Sequence, residues 1–352
     1  MKEILRQLKI KADVVGSEWN GIVAKYLLKL HSGTKLEKLE RYATEIALGM
    51  KSYGKPIIKP ITEEGVVSVE FIIHQQGTIP INSLYEELTN SKLKLPIIVG
   101  RTVFGENLTI DLTSLPHLLV AGSTGSGKSI FLHSAILSLI RSKRDVSIIL
   151  VDPKTVEFGA YNNIKQLLCN VINSPEEALT VLSDLINEMN SRFSLLARKK
   201  VTNIVEYNSK TLERLSYVVL IVDEFSDLMY NSKKEFQKLL CVLSQKCRAA
   251  GIHIIMSTQR PSTDIINGSI KTNFPARISF RVPSSYDSRV VLNEVGADRL
   301  LGDGDGLIIS PKHNLVRFKG AFVASKDINK VVAENNLNWF QRLIRTKWNG
   351  QI

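Results

Sequence analysis

The stretch LLVAGSTGSGKSIFLHSAI, from Leu118 to Ile136, decides the fold. An apolar run ends there in glycine and serine, and a helical pattern follows. The segment matches the pattern G-x-x-x-x-G-K-[ST] at every fixed position, in the strand–helix context that the pattern requires. Its glycines let backbone N–H groups surround phosphates at the start of a helix. The predicted nucleotide-binding residues are Gly122, Ser123, Thr124, Gly125, Ser126, Gly127, Lys128 and Ser129.

From about Ile98 onward, runs that are apolar throughout alternate with helical segments. The runs are HLLVAG, VSIILVD, YVVLIVD, GIHIIMSTQ and ARISFRV. Such runs are typical of parallel strands covered by helices on both faces. One of the helices is expected to begin after Ser174, which precedes Pro175 and stands three residues before Glu177. The sequence therefore predicts a doubly wound α/β domain.

The first hundred residues have shorter patterns that predict a small α/β module. GIVAKYLLKL, KPIIKPI and VVSVEFII are predicted strands, and the prolines of KPIIKPI exclude the middle of a sheet. Apolar residues from Leu36 to Ala47 share one helical face. TNSKLKLPIIVGRTVFGEN is interpreted as the connection to the larger domain.

The composition is that of an ordinary soluble protein: 352 residues, 44% apolar and 23% charged. No apolar run reaches the roughly 18–20 residues of a membrane-spanning helix, and the amino terminus lacks a secretory signal. Three isolated cysteines and six scattered histidines predict no structural metal site built from these residues. We therefore expect a cytoplasmic protein. The net charge of +12 fits either a lysine-rich surface or a polyanionic partner, nucleic acid or an anionic membrane.

The ends of three predicted strands carry the residues for ATP chemistry. Lys128 is expected to reach the β- and γ-phosphates of ATP, and the Ser129 hydroxyl to bind Mg²⁺. Asp223 follows a second apolar strand and is expected to hold Mg²⁺. Its neighbour Glu224 is suited to orient the attacking water. Gln259 ends a third strand, and we expect its polar side chain to contact the γ-phosphate of ATP.

Several segments together resemble the motor of the FtsK/SpoIIIE family of double-stranded DNA translocases, related to HerA. They are HLLVAGSTGSGKS, VDPKTVEFGAY, VDEFSDLM, RAAGIHIIMSTQRPSTDIINGSIKTNFPARISF, DSRVVLNEVGADRLLGDGDGLI and FKGAFVASKDINKVV. The resemblance implies a RecA-like P-loop ATPase domain with a mostly parallel sheet at 98–325. The family's α subdomain would occupy 1–97, and a helical tail 326–352. We expect a short form without the family's membrane anchor and γ domain.

The resemblance also implies roles for residues that no local pattern identifies. Arg248 in KCRAAGIH matches an arginine finger that acts on the ATP of a neighbouring subunit, and Arg289 matches a second such arginine. Many relatives carry lysine where this chain has Ser285. The implied DNA-binding residues are Lys233 and Lys234, at an expected helix start, and Arg260, Lys271, Thr272 and Asn273. These side chains suit phosphate contacts, which carry no sequence information.

The resulting expectation is a Mg²⁺-dependent ATPase that forms a ring, a hexamer in the family, and pumps duplex DNA through its pore. We expect the protein to act for a plasmid, phage or other mobile element, and to have a relaxase or a replication protein as a further partner. Two alternatives stay open: a HerA-like helicase or conjugative coupling ATPase, and a slow, ATP-gated DNA-binding scaffold. The tail, with Trp339 and Phe340 among basic residues, is expected to pack on its own domain or a neighbour, or to dock a partner or membrane surface.

Overall fold

An antiparallel sheet of four strands organises the first part of the chain in the computed structural model, which describes residues 1–20, 22–74, 77–311 and 313–337. The strands are β1 Ala12–Trp19, β2 Val23–Leu30, β3 Ile57–Ile61 and β4 Val66–Ile72, in the order β1-β2-β4-β3. The helices beside them are α1 Lys2–Gln7, α2 Leu36–Arg41 and α3 Ala43–Met50. β3 lies at the sheet edge, as its prolines predict, because Pro60 has no N–H to donate to a second neighbour.

The helical face predicted from Leu36 to Ala47 is divided between two helices. The backbone of Tyr42, with φ −94° and ψ 17°, departs from helical geometry between α2 and α3. Leu39, Ala43 and Ile46 are nonetheless buried together in the core of this module. The apolar pattern thus predicted the buried face correctly and the helix continuity wrongly.

The segment interpreted as a connection contains one strand of a second, larger sheet and the first residue of the next. After β5 Ile79–Pro80, a 3₁₀ turn at Ile81–Leu84 and α4 Glu86–Thr89, the chain forms β6 Pro96–Thr102 and β7 Asn107–Asp111. Ile97, Ile98 and Val99 are fully buried. Gly100 lies at a register shift and a Cβ there would come 2.0 Å from the Lys319 carbonyl oxygen, so this glycine permits close strand approach rather than marking a linker. β6 also crosses the predicted boundary at residues 97–98.

The larger sheet combines a parallel half with an antiparallel half. Its remaining strands are β8 His117–Ala121, β9 Val146–Val151, β10 Tyr217–Val222, β11 Ile252–Thr258, β12 Ala276–Phe280, β13 Asp305–Ser310 and β14 His313–Phe322. The order is β7-β6-β14-β13-β12-β8-β11-β10-β9, with β5 beside β14. The five predicted strands, β12-β8-β11-β10-β9, are all parallel. From β12 to β7 the pairing is antiparallel. The α/β class is confirmed, and the sheet is more mixed than predicted.

Helices cover both faces of this sheet. They are α5 Lys128–Arg141, α6 Pro175–Arg198, α7 Ile204–Lys210, α8 Phe225–Lys246, α9 Gly268–Asn273, α10 Ser285–Leu292 and α11 Ser325–Glu334, with 3₁₀ turns at Gly159–Tyr161 and Ala297–Arg299. One apolar core lies between the sheet and α5, and another between the sheet and α6, α8 and α10. Ser174 caps α6 by accepting from the Glu177 amide, as predicted.

The parallel strands bring their carboxyl ends to one edge of the sheet, where ligands bind in open α/β sheets. Residues 122–129 follow β8, Asp152 follows β9, Asp223 follows β10 and Gln259 follows β11. Among the described residues, no helix is both long and apolar enough to cross a membrane. The aromatic tail predicted around Trp339 and Phe340 lies outside the described residues.

Candidate nucleotide-binding site

The loop between β8 and α5 folds into a cradle that only glycine permits at two positions. A Cβ on Gly122 would come 2.5 Å from the Ser126 Oγ, and one on Gly127 would come 2.7 Å from the Gly304 Cα. Gly127 also has φ +115°, which side-chain-bearing residues rarely adopt. The loop opens into a cavity of about 800 Å³. The loop therefore takes a backbone path that requires these two glycines, and its binding of phosphate stays a prediction.

Lys128 is buried in a hydrogen-bonded cluster at the floor of this site. Its Nζ donates to the Asp223 carboxylate and, at 2.9 Å, to the Ser257 Oγ, and the Ser257 hydroxyl donates to Asp223 Oδ1 at 2.8 Å. Lys128 and Asp223 are 3% and 1% exposed, so the ion pair is shielded from solvent screening. Sequence reasoning missed Ser257, although β-strand alternation places it on the same face as Gln259, two residues on.

Ser129 is linked to two residues that sequence reasoning also missed. Its Oγ donates to Glu157 Oε1 at 2.8 Å, and Glu157 Oε2 lies 3.5 Å from His133 Nε2. His133 Nδ1 in turn lies 3.0 Å from the Tyr161 hydroxyl. The hydrogen bond from His133, followed by that from Ser129, lowers the pKa of Glu157 against the opposing effect of burial. No sequence spacing relates Ser129 to Glu157. The one signal in the sequence is that Glu157 follows β9 closely, which places it near the carboxyl edge of the sheet.

Glu224 is 1% exposed and its carboxylate accepts several hydrogen bonds from its own chain. Oε1 accepts from the Ser226 hydroxyl and, at 2.8 Å, from the Thr258 hydroxyl, while Oε2 accepts from the Gln259 amide at 2.9 Å. The backbone of Glu224 is left-handed, with φ 51° and ψ 60°. Lys154 Nζ approaches Oε2 to 3.8 Å. The predicted water-orienting residue is thus held in one orientation.

Gln259 joins the end of β11 to the phosphate loop. The Thr124 hydroxyl donates to Gln259 Oε1 at 3.0 Å, which leaves the amide hydrogens of Gln259 as donors at the cavity wall. Beyond the loop the cavity is lined by a mixed group of side chains that suits a base and sugar: Thr78, Phe131, Phe280, Lys319 and Phe322.

The residues present fit a nucleoside triphosphate with magnesium. Gly125 has no heavy atom within 4 Å of the position a Cβ would take, so the middle of the loop is open toward the cavity. Ser129 and Asp223 supply a hydroxyl and a carboxylate oxygen, the donor atoms that Mg²⁺ prefers. Mg²⁺ is usually bound by one or two carboxylates together with substrate phosphates, and this donor set matches that pattern.

The two predicted trans-acting arginines do not line the cavity of their own chain. Arg248 is exposed in the turn before β11, at the amino edge of the strands and opposite the phosphate loop. Burial lowers the pKa values of His117 and His253, to about 3 and about 4, and the charge of Arg248 adds a smaller effect in the same direction. Arg289 is exposed on α10. Ser285 is the first residue of that helix, which Ser284 caps.

The predicted DNA-binding residues differ in their availability. Arg260, Thr272, Lys233 and Lys234 are exposed, although the lysine pair lies inside α8 rather than at a helix start. Asn273 is partly buried.

Lys271 already has partners within the chain. Its Nζ donates to Asn293 Oδ1 at 2.8 Å and lies 3.4 Å from the Arg289 carbonyl oxygen, at the carboxyl end of α10. Burial, with a contribution from Arg277, lowers its pKa. A cation at the carboxyl end of α10 interacts favourably with the carbonyl groups and the helix dipole there. Lys271 therefore has a structural role that the sequence did not indicate.

Comparison with protein families identifies two matching domains. The FtsK/SpoIIIE family model matches residues 84–263, and the FtsK alpha domain model matches residues 1–71. Among curated proteins, the chain is 36% identical over 344 residues to the DNA translocase FtsK of Treponema pallidum (strain Nichols), covering 95% of this chain and 43% of that protein. It is 34% identical over 352 residues to the DNA translocase FtsK of Chlamydia pneumoniae, covering 95% and 44%. The chain thus spans less than half the length of these two relatives.

Solved structures with the same fold are also similar. The pCW3 conjugation coupling protein TcpA, in its monomer form with ATPγS, has a TM-score of 0.69 at 24% identity, covering 94% of this chain and 97% of that one. The cytoplasmic domain of the type VII secretion ATPase EccC of Thermomonospora curvata has a TM-score of 0.65 at 24% identity, covering 75% and 35%. These similarities confirm the predicted P-loop ATPase fold.

Proposed function

The chain belongs to the FtsK/SpoIIIE family, and from this premise we propose that it is an ATP-driven motor that pumps double-stranded DNA through a ring of its own copies. One observation carries the proposal. The phosphate cradle, the Lys128–Asp223 pair, Glu224 and Gln259 converge at one edge of the sheet, over a cavity large enough for a nucleotide.

The roles of the site residues follow from their positions. Backbone N–H groups of the loop bind phosphate oxygens, and Lys128 turns from Asp223 toward the β- and γ-phosphates. Ser129 and Asp223 would hold Mg²⁺, which when bound neutralises phosphate charge. Glu224, fixed by its hydrogen bonds, orients the attacking water and accepts its proton. Gln259 directs its free amide hydrogens at the γ-phosphate.

The proposed ring is supported by the position of Arg248. An arginine at the amino edge of the strands faces away from the nucleotide cavity of its own chain, and a guanidinium there is available to a neighbouring subunit. Such a group stabilises the charge of the phosphoryl-transfer transition state. The hexameric state and the second arginine, Arg289, are proposed on the family resemblance.

The proposed track is duplex DNA, because the curated relatives are named DNA translocases and this chain has a net charge of +12. Of the cations predicted to bind DNA, Lys233, Lys234 and Arg260 are exposed, whereas Lys271 is partly buried. Contacts of this kind neutralise the DNA backbone without reading its sequence. A cytoplasmic location, service to a mobile element and a relaxase or replication partner stay predictions.

The test is ATP turnover with and without linear duplex DNA, together with a strand-displacement assay. We expect duplex DNA of any sequence to stimulate turnover, and no strand separation. Separation of the strands would instead support the helicase alternative. Slow turnover that duplex DNA does not change would contradict the motor and favour the scaffold. Lys128→Ala is the control that shows whether the measured turnover belongs to this site.

A further inference from the structure

A hydroxyl that binds a cation through its oxygen needs another acceptor for its hydrogen, because the lone pairs must face the metal. Asp223 is the carboxylate that we propose binds Mg²⁺ together with Ser129. Its Oδ1, however, accepts hydrogen bonds from Lys128 and Ser257. The Ser129 hydroxyl donates to Glu157 Oε1 instead, at 2.8 Å. The hydrogen of the predicted metal-binding hydroxyl is therefore directed at a residue from the loop after β9.

Glu157 is itself held in place from two sides. Its second carboxylate oxygen lies 3.5 Å from His133 Nε2, on the helix that also carries Ser129. Its backbone amide donates to Asp152 Oδ2 at 2.8 Å, which ties the loop to the end of β9. Asp152 is fully buried. Because this acceptor is itself held in place, it fixes the direction in which the Ser129 hydroxyl hydrogen points.

We propose that Glu157 is the positioning residue of the magnesium site, which by accepting the Ser129 hydrogen directs the Ser129 lone pairs toward the metal that accompanies the nucleotide. This role rests on the proposed function, since it presumes that the cradle binds a magnesium–nucleotide complex. Glu157 thus accepts the hydrogen of the Ser129 hydroxyl. Asp223 does not, because its Oδ1 accepts from Lys128 and Ser257.

The test measures how much Mg²⁺ strengthens nucleotide binding, without any turnover. The full chain is titrated with the fluorescent analogue mant-AMPPNP, once with Mg²⁺ and once with EDTA, and the ratio of the two affinities is the Mg²⁺ enhancement. For Glu157→Ala we expect the enhancement to fall about tenfold, the order of effect of one hydrogen bond to a charged group, with unchanged affinity in EDTA. Ser129→Ala should give a similar fall, and the double variant no further one, because both act through one hydroxyl.

A pair of near-isosteric variants separates positioning from charge. Glu157→Gln keeps a carbonyl acceptor and should retain most of the enhancement, whereas Glu157→Met, which fills the space without an acceptor, should lose it. Glu157→Met also replaces the alanine variant if that one fails to fold. Glu64→Ala, at an exposed glutamate in the turn after β3, is the matched control and should behave as wild type.

Three results would overturn the proposal: an unchanged enhancement in Glu157→Ala, equal losses in the Gln and Met variants, or losses that add in the double variant with Ser129→Ala. A failure of the proposed function gives a different result. In that case the wild-type chain itself would bind the nucleotide without Mg²⁺ enhancement, or not bind it, and both conclusions would fall together.

Discussion

Replacing Glu224 separates its chemical role from its structural one. In Glu224→Gln, the amide oxygen takes the place of Oε2 and accepts from the Gln259 amide. The amide nitrogen then faces the hydroxyls of Thr258 and Ser226, which accept by rotating their hydrogens. The Gln259 amide keeps its acceptor and both hydroxyls keep a hydrogen-bonding partner, while their own hydrogens lose the carboxylate, so we expect a loss of about 1 kcal/mol in the free energy of unfolding. Hydrolysis should nonetheless slow by at least about a hundredfold, because an amide cannot accept the proton.

Glu224→Ala is the comparison that tests this hydrogen-bond argument. It leaves the Gln259 amide and the Thr258 hydroxyl without their acceptor in a buried site, at about 1–3 kcal/mol for each such donor. Its free energy of unfolding should therefore fall by at least about 2 kcal/mol, measured by urea denaturation, while phosphate release measures turnover. Wild-type turnover in Glu224→Gln would refute the base assignment. Equal destabilisation of both variants would refute the proposed rearrangement of hydrogen bonds.

Further expected outcomes concern the ion pair, the ring and the track. Lys128→Ala should abolish mant-AMPPNP binding and lower the free energy of unfolding, because the buried Asp223 loses its counterion; retained nucleotide affinity would contradict its phosphate role. Mixing Arg248→Ala with Glu224→Gln subunits should restore partial turnover, since some interfaces then carry both groups; no recovery in freely mixing rings would mean that Arg248 does not act in trans. Lys271→Ala should weaken DNA-stimulated turnover and spare the DNA-free rate if this lysine leaves Asn293 for phosphate. Loss of both rates would show that its contact with α10 matters more.

The sequence predicted the location of the residues to which we assign ATP chemistry. Lys128, Asp223, Glu224 and Gln259 each follow or end such a run, and parallel strands bring their carboxyl ends to one edge. That argument needs no knowledge of side-chain contacts. The structure brings these four side chains to that edge, and their roles stay predictions.

The sequence could not predict contacts that depend on tertiary packing. Ser257 and Lys128 are hydrogen-bonded although they are 129 positions apart in the sequence. Glu157 and Ser129 are 28 positions apart, and no helical or strand periodicity relates either pair. The family resemblance implied that Lys271 contacts DNA, and it did not indicate that Lys271 contacts Asn293, 22 positions away. β6 was hidden by Pro96 and Gly100, which in a linear pattern indicate a loop and here lie within a buried strand.

The most direct test of the proposed motor is the delay before it displaces a third strand from duplex DNA. Linear duplexes carry a triplex at increasing distances from a free end, and the wild-type chain is supplied with ATP and Mg²⁺. A motor that moves along the duplex predicts ATP-dependent displacement after a lag that grows in proportion to that distance, and no displacement by Lys128→Ala. A lag that does not depend on distance, or no displacement while duplex DNA stimulates hydrolysis, would contradict translocation.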